Sequence, residues 1–258
     1  MPRYFLEVAY KGTNYSGFQI QQNANTIQAE IEKAMNVLMR LPSPRGEGLG
    51  VRLFVSSRTD AGVHALQNFF HFDADIKFQQ EQLYNLNALL PPDIVVKNIY
   101  AVHQNAHCRF DAIAREYKYY IYQKKNPFLF DIAFYYPYKI NIGLLQQVAE
   151  IIMNYKDFSS FSKRHTKTKN FECNIIKSIW MKEENCFVYN VIANRFLRGM
   201  VKGLVGTMLK VGREIISVKE FQQIIENRDC IKADFSPASK GLFLVSVKYA
   251  DNLLKCIL

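Results

Sequence analysis

Residues 3 to 10 read Arg-Tyr-Phe-Leu-Glu-Val-Ala-Tyr, and Tyr4, Leu6, Val8 and Tyr10 occupy alternate positions. A period of two predicts a strand with one aromatic-aliphatic face. A polar, glycine-punctuated loop follows from Lys11 to Gly17. Ile27, Ile31, Ala34, Met35 and Leu38 then recur at helical spacing, and Asn25 precedes Gln28 in capping-box order, so 26–39 is expected to be an amphipathic helix. Its apolar positions read as core. Val51, Leu53, Phe54 and Val55 predict a buried strand, and 63–73 predicts another. The segment 79–89 reads as a helix stopped by Pro91-Pro92, and 94–102 as a strand.

The first hundred residues therefore follow the order β-α-β-β-α-β, which is that of a ferredoxin-like unit. The second half follows a parallel plan. A tyrosine-rich strand spans 113–122, a helix 141–154, and a hairpin 175–182 with 187–194 turns at Glu184-Asn185. Helices are expected over 198–211 and 218–227, and a closing strand over 242–249. The expected fold class is α+β: two ferredoxin-like, RRM-like units, 1–105 and 106–258, whose antiparallel sheets join into one extended sheet around a central cleft. No internal sequence repeat accompanies the duplicated plan.

The chain of 258 residues is 49% hydrophobic, enough for a substantial core. Thirty-three Lys and Arg against 23 Asp and Glu give a net charge of +10, which favours a polyanionic partner such as nucleic acid. No apolar run reaches membrane-spanning length, and the N-terminus lacks the pattern of a signal peptide, so no membrane association is expected. Five scattered cysteines without a Cys-x-x-Cys or His-x-x-x-His spacing read as reduced cytoplasmic thiols rather than a zinc site. The glycines of the Pro42–Gly48 segment do not make a phosphate cradle, because the lysine is missing and a strand follows. No metal or cofactor is expected.

Candidate chemistry concentrates at Ser56-Ser57-Arg58-Thr59-Asp60-Ala61-Gly62-Val63-His64, a polar loop between two strands. It sets a cation, a hydroxyl and a carboxylate side by side. A hairpin turn in which Asp60 caps its own backbone is the commoner use of Asp-x-Gly. Arg195, Arg198 and Lys202 follow i, i+3, i+7 spacing and predict a cationic stripe at the start of a helix. Gly199, Gly203 and Gly206 would give that helix a small-residue face. Lys163-Arg164-His165-Thr166-Lys167-Thr168-Lys169 carries no acid and suits phosphate contacts, or a solvated loop. Tyr117 and Tyr119 share a strand face, which suits either base stacking or core packing.

Several strings, in order along nearly the whole chain, resemble the tRNA pseudouridine synthase A family. They are Tyr10-Lys11-Gly12-Thr13-Asn14-Tyr15-Ser16-Gly17-Phe18-Gln19, Thr26-Ile27-Gln28, Ser57-Arg58-Thr59-Asp60-Ala61-Gly62-Val63-His64-Ala65, Arg109-Phe110-Asp111-Ala112, Arg115-Glu116-Tyr117, Asn126-Pro127-Phe128, Asp157-Phe158-Ser159-Ser160-Phe161, Phe196-Leu197-Arg198-Gly199-Met200-Val201-Lys202, and Pro237-Ala238 with Gly241-Leu242. Three positions depart from the family pattern: Ser57 for glycine, Phe18 for tryptophan and Lys202 for arginine. The resemblance implies a homodimeric cytoplasmic isomerase that turns uridine into pseudouridine at positions 38–40 of the tRNA anticodon stem-loop. It implies Asp60 as nucleophile, attacking sugar or base, Lys202 as the cation that keeps it ionised, Tyr117 stacked on the uracil, and Arg58 filling the gap left by the flipped base. The expected substrate-binding set is Tyr117, Arg58, Arg109 and Arg198, with Lys163, Arg164 and Lys167 added from the charge run.

Other readings compete. A non-catalytic RNA-binding protein would bind without Asp60, though the aromatic-rich RNP1 string is missing. A synthase acting at another RNA site would share the chemistry. A metal-dependent phosphoryl-transfer enzyme would need a second acidic cluster, with Asp73 and Asp75, across a strand, as the candidates. The five histidines carry no partner pattern and receive no role.

Overall fold

A computed structural model describes residues 1–39, 51–75, 78, 80–164 and 168–256. The Pro42–Gly48 loop, His165 and Lys167 lie outside them. The fold is mixed α+β, in two compact units: Met1–Ile113 with Leu244–Leu258, and Ala114–Phe243. This division by compactness differs from the expected one at 105/106, because the chain from Ala106 to Ile113 stays tied to the first unit. Arg3 Nη1 donates to Ala106 O at 2.9 Å, and Ile113 N donates to Lys248 O at 2.8 Å.

The first unit opens with β1 (Arg3–Tyr10), α1 (Ile27–Leu38), β2 (Phe54–Val55), β3 (His64–Asp73), α2 (Gln80–Leu89) and β4 (Ile94–Val102), the order expected. β1 is central and runs antiparallel to both β3 and β4, while β2 pairs antiparallel with β3. Both faces of β1 are buried, since Phe5 and Leu6 point oppositely and both are 0% exposed. Tyr4 packs against Phe72 and Phe78, and Phe5 against Tyr249. The carboxylate of Glu7 is buried among donors: Gln67, Asn98 and Tyr100 approach at 2.9, 2.8 and 2.7 Å. Burial would raise its pKa, but those hydrogen bonds and Lys97 outweigh it and hold the group below its ordinary value.

Two local expectations change. The cap of α1 is Thr26, whose hydroxyl accepts from Ala29 N at 3.4 Å, not Asn25. Gln28 is drawn off to Glu32 and to Leu53 O, so the capping box does not form. The strand expected over 51–55 shortens to Phe54–Val55. Side chains of α1 take up the missing ladder: Val51 N donates to Asn36 Oδ1 at 2.9 Å and Leu53 N to Glu32 Oε1 at 3.0 Å. The run is also not uniformly buried. Val51 and Leu53 face inward, but Phe54 is 44% exposed.

The second unit contains β5 (Ala114–Tyr122), β6 (Phe134–Tyr135), α3 (Ile142–Ile151), β7 (Ile175–Glu183), β8 (Cys186–Ala193), α4 (Met200–Gly212) and α5 (Val218–Glu226). β8 is antiparallel to both β5 and β7, and the unanticipated β6 lies parallel to β5. α5 begins with a capping box between Ser217 and Glu220. β9 (Leu242–Lys248) carries the chain back to the first unit, where Gln67 Oε1 accepts Val247 N at 3.0 Å, and β10 (Lys255–Cys256) pairs with β4.

α4 starts later than its sequence suggests. Gly199 is its cap at φ +75°, a left-handed backbone that ends any helical register reaching back to Arg198. Arg195 and Arg198 therefore lie in the preceding loop, and the three-cation helical stripe does not exist. The small-residue face is reduced to Gly203 and Gly206, since Gly199 precedes the helix. A Cβ on Gly206 would stand 2.2 Å from Asp234 O, and one on Gly203 would stand 2.8 Å from the Phe235 ring.

Candidate active site

The Asp60 turn is gripped from beneath and from one side. Beneath it, the buried Tyr10 hydroxyl meets Thr59 Oγ1 at 2.8 Å. Asn68 Nδ2 donates to Ser57 O at 2.9 Å and reaches the same Tyr10 hydroxyl at 3.2 Å. Burial pushes the Tyr10 phenol up to about 12, so it stays protonated and able to bond. At the side lies the Lys11–Gly17 loop. Phe18 N donates to Thr59 O at 3.0 Å and Gly62 N to Tyr15 O at 3.3 Å. Gly12 N donates to His64 Nδ1 at 3.1 Å. A Cβ on Gly12 would stand 2.0 Å from Val63 O, so only glycine lets the two loops close this far. The turn itself is closed by backbone, with Val63 N donating to Asp60 O at 3.2 Å and Gly62 at φ +75°.

The result is a fixed backbone with Thr59 buried, Asp60 half-buried and Arg58 exposed. A carboxylate on such a turn does not have to be ordered when substrate arrives. Two of the departures from the family pattern find places here. Phe18 is a core residue, packed 5.0 Å from the Phe70 ring, and Ser57 is buried with its carbonyl held by Asn68.

In the second unit, Tyr117 lies opposite Val191 on β8, half-buried, with the Phe196 ring edge-on to it at 5.0 Å and 82°. Tyr119, on the same strand face, is fully buried and donates to Ala238 O at 2.6 Å, so this face is core except toward its start. The loop bearing Phe196 is tethered by the buried Arg115, whose Nη1 donates to Asn194 O at 2.7 Å. Lys202, in the first turn of α4, donates to Ser239 Oγ at 3.3 Å.

The remaining cations divide. Lys163 N donates to Arg198 O at 3.0 Å, and the Lys163 stem covers Gly199, so these two cations are neighbours. Arg164 faces Asp229 at 3.9 Å, an exposed pair. Arg109 is exposed in the first unit, its guanidinium 5.9 Å from the Phe110 ring centre. Asp157, in the Asp-Phe-Ser-Ser-Phe string, is a local cap: it accepts Ser159 N at 2.9 Å and faces Arg228 at 3.3 Å.

Three side chains that sequence spacing left without a role do meet. Ligand atoms of His71, His107 and Cys108 lie within 4.8 Å of one another. Spacing could not find the group, because β3 supplies one member and the segment after β4 the others. The Cys108 thiol is hydrogen-bonded, to Phe54 O at 3.1 Å and with His71 Nδ1 at 3.2 Å, which accounts for the contact without a metal ion. Phe196 and Ser239 were also missed as neighbours of Tyr117 and Lys202. Phe196 stood within a recognised string, and Ser239 stood between Pro237-Ala238 and Gly241-Leu242 of another.

The sequence profile of the family described as tRNA pseudouridine synthase matches residues 7–111 and 155–250. The chain belongs to the tRNA pseudouridine synthase family. A protein of Parabacteroides distasonis named tRNA pseudouridine synthase A is 41% identical across 98% of both chains. One of the same name from Azobacteroides pseudotrichonymphae is 38% identical over 99% of this chain and all of its own. One from Staphylococcus aureus strain Newman is 32% identical over 98% of this chain and 92% of its own. The resemblance carried by the Arg58–His64 string and its companions is thus confirmed over nearly the whole length. Membership makes the chain an isomerase that forms pseudouridine in tRNA, and the non-catalytic and phosphoryl-transfer readings fall away.

Proposed function

We propose that the enzyme acts at positions 38–40 of the anticodon stem-loop, with Asp60 as its nucleophile. The C1′–N1 glycosidic bond breaks, the uracil turns, and a C1′–C5 bond forms. The proton on C5 is lost to solvent and N1 gains one, so substrate and product are isomers. Attack at the sugar C1′ and attack at the base C6 both return Asp60 as a free carboxylate, and both need it ionised. Lys202 is the cation we assign to keep it ionised. Tyr117 stacks on the uracil and takes part in removing the C5 proton. Arg58 occupies the space the flipped uridine leaves, offsetting part of a cost of a few kcal/mol. Arg109, Arg198, Lys163, Arg164 and Lys167 contact the phosphate backbone.

The observation that carries this reading is the Asp60 turn itself. Its backbone is bonded to Tyr15, Phe18 and Asn68, and its exposed neighbour is a guanidinium. The Phe196 edge against Tyr117 supports a ring held in one orientation for stacking. No described helix is long and apolar enough to cross a membrane, and the scattered thiols fit the cytoplasm we assign. We further assign two ferredoxin-like units sharing one sheet, and a homodimer across which one tRNA lies.

The decisive measurement is tritium release from tRNA containing 5-tritiated uridine. Asp60→Ala is expected to lower it by roughly a thousandfold or more. Release at the parent rate would remove Asp60 from the chemistry. Mapping pseudouridine in tRNA from cells with and without the gene should show loss at 38–40, and loss elsewhere alone would overturn the target assignment.

A further inference from the structure

Within the first unit a cleft of about 200 Å³ opens beside the Asp60 turn. Three guanidiniums, Arg52, Arg58 and Arg109, and four rings, Phe18, Phe54, His107 and Phe110, line it together with aliphatic and amide side chains. Among the described residues its lining includes no carboxylate. Phe54 is 44% exposed and Phe110 is 75% exposed, although both rings are held from behind. Phe54 lies flat on His71, with ring centres 4.8 Å apart and planes 12° apart. Phe110 rests on His107 at 4.3 Å. The backbone under them is fixed, because His107 N donates to Asp111 Oδ2 at 2.8 Å and Cys108 Sγ donates to Phe54 O at 3.1 Å. Each exposed ring has a guanidinium beside it, Arg52 at 5.4 Å from Phe54 and Arg109 at 5.9 Å from Phe110.

Exposed, immobilised aromatic rings interleaved with cations are the surface that single-stranded nucleic acid selects. The rings offer π-faces, and the guanidiniums match phosphate. The cleft is smaller than the ~300 Å³ at which drug-sized pockets begin, which suits one planar base rather than a pair. Arg58 stands two residues from Asp60, at most about 7 Å of backbone, so a base held here belongs to a nucleotide close to the one under reaction.

We propose that this cleft is a subsite for one unpaired base of the tRNA near the reacting uridine, with Phe110 as its stacking platform and Arg52 and Arg109 on the adjoining phosphates. The proposal rests on the reading of the chain as a tRNA-modifying enzyme, and it adds a residue set outside the chemical step. Phe110 acts as a positioning residue, felt in binding more than in turnover.

The test uses full-length tRNA with 2-aminopurine placed in turn at each unpaired position of the anticodon loop. On binding the parent enzyme, one position should show stacking quench, and that quench should vanish with Phe110→Ala and persist with Phe110→Trp. With unlabelled tRNA, Phe110→Ala should raise KM roughly five- to fiftyfold and leave kcat within about twofold. An abasic nucleotide at the quenched position should raise KM for the parent by a similar factor and add nothing to Phe110→Ala. An unchanged KM with quench intact in Phe110→Ala overturns the proposal. So does a Phe110→Ala protein whose association state changes in sedimentation while its tRNA affinity does not, since the surface is then a protein contact. Absence of tritium release from the parent would overturn the broader enzymatic reading, and the quench would still report on the subsite.

Discussion

The Tyr10 hydroxyl and Thr59 Oγ1 meet at 2.8 Å, joining the end of the central strand to the residue beside Asp60. Neither group is on the surface, and Asn68 completes the cluster at 3.2 Å. This buried polar triad, rather than any surface contact, ties the turn to the sheet.

Removing one member strands the others. Tyr10→Phe should lower stability by about 1–2 kcal/mol, because Thr59 and Asn68 lose a partner they cannot replace with water. Thr59→Val should cost a similar amount alone and distinctly less in the Tyr10→Phe background. Urea unfolding of the two single variants and the double variant measures the coupling. Strict additivity would mean that the hydroxyls do not support one another.

Glycine at 12 is fixed by a neighbour distant in sequence. Gly12→Ala would drive a methyl into the Val63 carbonyl, which is backbone and cannot rotate away. A loss of about 3 kcal/mol is expected, with Gly206→Ala similar for its clash with Asp234 O. Gly143→Ala, whose new Cβ meets only a side-chain atom at 3.3 Å, should change stability by less than about 1 kcal/mol. Thermal unfolding of the three variants checks the ranking.

Lys202 tests whether charge or shape matters at the start of α4. Lys202→Met should reduce kcat by roughly a hundredfold. Lys202→Arg, which restores the residue usual in the family, should stay within about tenfold of the parent. Ser239→Ala removes only a 3.3 Å hydrogen bond and should have a minor effect. Single-turnover rates separate these outcomes, and equal rates for the Met and Arg variants would refute a role for the charge.

Stability should fall in mild acid, partly through His71. Burial, reinforced by the neighbouring His107, lowers its pKa from 6.5 to about 4. Between those values the unfolded chain binds a proton that the folded one refuses, so stability drops as pH falls. The contribution is at most on the order of 3 kcal/mol. Urea unfolding at pH 7 and pH 5 should show the loss, and His71→Gln should flatten it. An unchanged slope in that variant would assign the acid sensitivity to other groups.

How much of this was legible in the sequence follows from how far apart the interacting residues are. β1, β3 and β4 were readable because period-two apolar alternation is local. The Asp60 turn was readable because its residues are contiguous. The errors lie where a distant segment overrode a local pattern. The 51–55 run looked like a buried strand, yet α1 side chains satisfied the Val51 and Leu53 amides, and Phe54 is exposed. The Arg195, Arg198 and Lys202 spacing looked helical, yet Gly199 broke the register at a positive φ.

The sequence by itself determined the family, the reaction class, the candidate nucleophile and most of the elements, since all of these are written in short strings and periods. Only the tertiary structure decided what supports the turn and what lies beside it. Tyr10 under Thr59, Gly12 against Val63, and the Arg52–Phe54–Phe110 cleft unite segments up to about fifty-eight positions apart. Such pairings depend on how strands register and loops close, and no local run of side chains encodes them.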